Sequence, residues 1–183
     1  MSTRVTNRLN KHYSKHRELH KKIKEHAEDI IRSEKFQSTR MCIQHGSIPV
    51  YRHCMDVAKQ ALIISRKLPF KINERELVRG ALLHDYFLYD WHDKNRDNFK
   101  RFHGFHHAGT ALRNASLDYE LTDREKDIIK KHMFPLNIKP PMCREAWIVN
   151  IADKYCSTLE TLKIRKGSGQ IYINLNKKNE KHL

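Results

Sequence analysis

No stretch of this 183-residue sequence carries the roughly 18 consecutive apolar residues that a membrane-spanning helix needs. The segment STRVTNRLNKHYSKHRELHKK after Met1 has no apolar centre, so no secretory leader is expected, and the chain reads as soluble and cytoplasmic. Cysteine is scarce. Cys42, Cys54, Cys143 and Cys156 show no CxxC spacing, which argues against a zinc knuckle and for reduced, packed thiols. Glycine is scarce as well, and Gly167-Ser168-Gly169 is too short for a phosphate-binding fingerprint. No internal repeat and no aromatic-interleaved basic patch is present.

Acidic residues are in deficit: 21 Asp and Glu stand against 36 Lys and Arg, a formal charge of +15. Such an excess favours anionic partners, whether nucleotides, nucleic acids or other phosphorylated compounds. Much of it falls in residues 1–24 and 163–183, where a solvated basic surface is the simpler reading. With 39% hydrophobic residues over this length, one domain with a substantial core is expected.

What is present is helical periodicity. Leu19, Ile23, Ala27, Ile30 and Ile31 form a narrow stripe on a polar helix over about 14–34, on which His12, His16, His20 and His26 are expected at the surface. After a break at HGSIP, Pro49 opens a helix to about residue 67 with Val50, Val57, Ala61 and Ile64 inward. Asn73 with Glu76, and Thr122 with Glu125, are capping-box patterns for helices running to about 89 and 133. Between them 91–105 reads as a loop and 106–117 as a helix. A longer helix spans about 143–166, with Ile148, Val149, Ala152, Cys156, Leu159 and Leu162 inward, and 167–183 is a weakly alternating tail.

The adjacent pair His84-Asp85 stands inside the apolar stretch LVRGALLHDYFLYDW. His84 follows Leu77 by seven and Ala81 by three, and Asp85 follows Val78 by seven and Leu82 by three, so both belong to the core side. His53, His132 and Asp153 track apolar stripes in the same manner. A single histidine on such a face is more often a hydrogen-bonded core residue. Several with two carboxylates are another matter, because an ionised carboxylate buried without a partner costs several kcal/mol. A metal ion answers that need. Imidazole and carboxylate together suit Mn, Fe, Co, Ni or Zn, and carboxylate with water suits Mg, so the ion is left open.

His53, His84-Asp85 and Asp153, in that order on successive helices, resemble the HD superfamily of metal-dependent phosphohydrolases over residues of about 45–160. The segments HGFHHAGTALRNA, LTDREKDIIKKHMFPL and VNIADKYCSTLET are similar to a group of uncharacterised bacterial HD-domain hydrolases. The resemblance implies an all-α bundle of six to seven helices, with 1–44 a basic helical segment packed on the bundle, 45–166 the metal-binding domain and 167–183 a basic tail. It implies that His53, His84, Asp85 and Asp153 ligate a first divalent metal, and that His107 and His132 add a second position bridged by Asp85. His103, His106 and His107 are three candidates for one role. His107 is favoured because AGTALRNA follows it as the family's small-residue helix follows its histidine, although Ala108 stands where proline is common. There is no GYP extension of the cyclic-dinucleotide phosphodiesterase type.

The implied activity is hydrolysis of a phosphomonoester or phosphodiester, in a small nucleotide-like substrate, by a metal-activated hydroxide centred on His84 and Asp85. Arg52, Lys154, Lys94 and Arg101, with Arg96 and Lys100 beside them, are candidate phosphate contacts, against a simpler reading as solvated charges. Alternatives are a nuclease or nucleic-acid phosphodiesterase, which the charge suits, and a non-catalytic metal-binding sensor.

Overall fold

The computed structural model describes residues 3–45, 48–89 and 103–162, with side chains over 14–44, 48–89 and 106–162. Lys94, Arg96, Lys100, Arg101 and the tail 167–183 lie outside the described residues, as does the expected loop except for 103–105, which are helical. Seven helices and one small hairpin are described: α1 (Thr3–Arg32), α2 (Glu34–Ser38), β1 (Ile43–His45), β2 (Ile48–Pro49), α3 (Val50–Ser65), α4 (Glu74–Leu83), α5 (His103–Asp118), α6 (Asp123–Lys131) and α7 (Arg144–Thr161). The all-α expectation holds. No helix among the described residues is long and apolar enough to cross a membrane, and the four cysteines are free thiols, Cys54 and Cys156 buried.

α4 is the hub of the bundle, lying against α3, α6, α1 and α7. Its closeness to α6 depends on Gly80: a Cβ added there would lie 2.6–2.9 Å from three atoms of the Ile128 side chain. The stripe on α1 is buried as its spacing predicts, Leu19, Ile23, Ala27 and Ile30 being covered by the bundle. The expected single helix over 14–34 divides, however. Ala27 leaves helical geometry (φ −148°, ψ 38°), and Ser33 caps a separate short helix by accepting from Phe36 N–H at 3.2 Å. His26 is half-buried and 3.5 Å from Glu74 rather than fully at the surface, because the kinked end of α1 lies on α4.

Arg79 fastens three helices. From α4 it donates to both carboxylate oxygens of Asp29 on α1 (2.8 and 2.7 Å) and to Glu125 on α6 (3.0 Å). Glu125 also completes the expected capping box, its other oxygen accepting from Thr122 N–H while Thr122 Oγ1 accepts from Glu125 N–H. The box expected at Asn73 is only half made. Asn73 Oδ1 accepts from Glu76 N–H, but Glu76 is turned to Arg124, and Glu145 of α7 takes the Asn73 N–H at 2.9 Å.

Candidate metal centre

α4 ends at Leu83, six residues earlier than the spacing suggests, and the cause is His84 itself. At the C-cap its Nδ1–H donates to Ala81 O at 2.8 Å, satisfying a carbonyl that the helix leaves without a partner. His132 repeats the device at the C-cap of α6, donating from Nδ1 to Ile129 O at 2.7 Å. A carbonyl can only accept, so these bonds fix the proton on Nδ1 and turn each Nε2 towards the centre. Two helix C-termini, each the negative end of its dipole, therefore meet the same spot, and both favour positive charge there.

α3 brings His53 and α7 brings Asp153 to that spot. His53 Nε2 lies 3.1 Å from Asp153 Oδ1 and 3.3 Å from His84 Nε2. On its other side His53 Nδ1 donates to Glu160 Oε2 at 2.9 Å. His107 of α5 and His132 face each other at 2.9 Å between Nε2 atoms. Asp85 lies between the two groups. Its Oδ2 is 3.2 Å from His84 Nε2 and 3.6 Å from His53 Nε2, while its Oδ1 is 3.3 Å from His107 Nε2 and 3.5 Å from His132 Nε2.

Ligand-type atoms thus gather in two sets of three, His53, His84 and Asp153 in one and Asp85, His107 and His132 in the other, all buried. Asp85 Oδ1 is buried and makes no hydrogen bond, and such an atom is costly unless a cation or donor is supplied. A divalent cation in each set would satisfy it and fit the convergent Nε2 lone pairs. Without one, charge is balanced by protons. Burial opposes protonation of His53, but hydrogen bonds with Asp153 and Glu160 overcome it and raise its pKa to about 10. His84 is raised likewise by Asp85 against its burial. Burial and the charge on His84 push His132 down to about 3. Asp85 and Asp153 stay ionised well below the carboxylate range, the facing histidines outweighing desolvation.

The structure brings together His53, His84, Asp85, His107, His132 and Asp153, and leaves His106 exposed. Lys154 is at the edge of the centre, donating to His132 O at 3.2 Å, with its pKa lowered by burial. Arg52 is paired along α3 with Asp56 at 3.2 Å. Leu88, three residues past Asp85, holds a left-handed φ of 59°, a strained backbone of the kind that gathers at functional sites. Asn114 of α5 fixes this turn by donating to Tyr86 O and Phe87 O at 3.2 and 3.1 Å.

Two residues of the centre escape the sequence reading. Glu160 stands seven after Asp153, so helical spacing alone places it on the same face of α7. It is buried and accepts from His53 Nδ1–H, whereas Leu162, expected inward, is exposed at the C-cap of α7. Gln44 donates from Nε2 to Asp85 Oδ2 at 2.5 Å, from a three-residue strand with no periodicity to signal it.

The model of the HD domain matches residues 50–158, more than half of the chain. The chain belongs to the HD-domain family. That family is a superfamily of metal-dependent hydrolases, and the two His/Asp sets of this HD domain are compatible with metal binding. No curated protein and no solved structure matches the chain. Gln44 and Glu160 both lie outside the matched segment.

Proposed function

We propose that this HD domain is a phosphohydrolase with two divalent cations, cleaving a phosphomonoester or phosphodiester in a small nucleotide-like substrate. The observation that carries the reading is Asp85, whose two oxygens each face a separate set of imidazoles. Cations held there would supply Lewis acidity and lower the pKa of bound water. The chain's own part is placement. His84 and His132 keep their Nε2 atoms inward through the carbonyls of their own helices, Glu160 does the same for His53, and burial keeps the whole set away from bulk water.

Substrate phosphate is assigned to cations around the centre. Lys154, beside Asp153 and hydrogen-bonded to His132 O, is the best placed of the described ones, with Arg52, Lys94 and Arg101 as further contacts. The net charge of +15 draws an anionic substrate. It also suits a nucleic acid, and truncation distinguishes the two. Removal of 167–183 leaves turnover of a small phosphoester unchanged, whereas for a polymer it weakens binding and its salt dependence.

The test is metal analysis of the purified protein, coupled to a screen of phosphatase and phosphodiesterase substrates with Mn, Fe, Co, Ni, Zn and Mg. Two equivalents of metal are expected, with turnover abolished by Asp85→Asn. Absence of metal, with no thermal stabilisation by any of these ions, overturns the reading. Bound metal without turnover of any phosphoester replaces the enzyme by a sensor.

A further inference from the structure

We propose that Gln44 is a positioning residue of the metal centre, holding the Asp85 carboxylate in the rotation that divides its oxygens between the two ligand sets. The proposal rests on the two-cation reading above. A carboxylate turns readily about its bond to Cβ, and imidazole lone pairs do not by themselves fix that angle. Gln44 Nε2–H donates to Asp85 Oδ2 at 2.5 Å. The amide cannot be the other way round, because its carbonyl would then face a carboxylate oxygen.

The placement is a built one. The hairpin carrying Gln44 is tied to the start of α3 by Val50 N–H donating to Cys42 O at 2.9 Å, so Gln44 reaches Asp85 from an element that carries none of the six ligand-type residues. Its side chain is buried, and Oε1 has no hydrogen-bond partner. A residue serving only to fasten the hairpin would gain nothing from a polar end with an orphaned acceptor, since an unsatisfied buried carbonyl is costly. Two orphaned acceptors, Gln44 Oε1 and Asp85 Oδ1, in residues joined by one hydrogen bond mark a place completed by a bound ligand.

With Gln44 in place, Oδ2 is held on the side of His53 and His84, and Oδ1 is left to His107 and His132. Without it, the carboxylate is free to turn both oxygens to one set. The loss is then specific: weaker metal binding and loss of the bridge, in a chain that remains folded.

The full-length, metal-stripped protein is titrated with Mn²⁺, followed by calorimetry and by electron paramagnetic resonance, in the wild type, Gln44→Met and Gln44→Asn. Met keeps the length and loses the donor; Asn keeps the amide and draws it out of reach. Wild type is expected to bind two Mn²⁺ with the exchange-coupled spectrum of a bridged pair. Both variants are expected to keep their circular dichroism, to bind Mn²⁺ about 10–100-fold more weakly and to lose the coupled signal. A folded variant that binds two Mn²⁺ like wild type, coupling included, overturns the proposal and leaves the two-cation reading standing. If both variants unfold, Gln44 is a fastening of the hairpin and the proposal falls. If wild type itself binds no pair of Mn²⁺, nor of Fe, Co, Ni, Zn or Mg ions titrated in the same way, the two-cation reading fails and takes this one with it.

Discussion

Gly80 and Ile128 fit together where α4 crosses α6, leaving no room between them for a single methyl group. The same two helices end in His84 and His132, whose rings are 4.9 Å apart at the centre. The contact therefore sets the spacing of the two ligand sets.

Gly80→Ala follows from that contact. Alanine favours a helix over glycine by about 1 kcal/mol, but the clash is with Ile128 Cβ as well as its tip, which repacking cannot easily relieve. Overpacking of this kind costs about 1–3 kcal/mol, so net destabilisation is expected. Urea unfolding checks the sign, and metal stoichiometry of the folded fraction checks that His132 has been moved from His84.

Glu160→Gln keeps the shape of the acceptor and removes its charge, so His53 retains its orientation and loses basicity. Outer partners of metal-bound histidines are worth about 10–100-fold in affinity. Weaker Co²⁺ binding within that range is expected, with the Co²⁺ absorption spectrum as readout. Unchanged affinity would mean that the charge of Glu160 does not tune His53 as a ligand.

The metal-free protein is expected to be most stable near pH 6.5. His53, raised to about 10, gives stability that is complete below its unfolded value of about 6.5 and is lost as pH rises through 10; His84 acts in the same direction. His132, lowered to about 3, gives stability present above 6.5 and lost as pH falls towards 3. Asp85 and Asp153, depressed, add a further loss in acid below about 4. Metal must displace the proton of His53, so affinity rises about tenfold per pH unit for each proton released. Thermal melts from pH 4 to 10, with and without Mn²⁺, should show the optimum move to higher pH when metal is added.

The helices and five of the six convergent residues were legible because each signal is local and periodic; His107 was singled out from His103 and His106 by the resemblance alone. Leu19, Ile23, Ala27 and Ile30 repeat at helical spacing, and Thr122 with Glu125 is a complete cap written in four residues. What was not legible depends on partners distant in sequence. Glu145 takes the Asn73 N–H across 72 residues, which is why the pattern at Asn73 promised a bond that Glu76 does not make. The early end of α4 reflects a side chain competing for its own helix's carbonyl, which apolar spacing does not report. Gln44 lies 41 residues from Asp85 on a strand too short to alternate.

His53 and Asp153 are 100 residues apart along the chain, and they meet at 3.1 Å. Cations shared between them would close a loop of that size as a covalent cross-link does, and a disulfide spanning about 100 residues removes chain entropy worth about 4–5 kcal/mol. The unfolded chain has no such convergence of ligands, so the ion binds the folded form alone, and its concentration becomes a variable of folding. Chelation then acts as the cutting of that cross-link, loosening the joint between the first and last helices of the matched domain rather than a local loop.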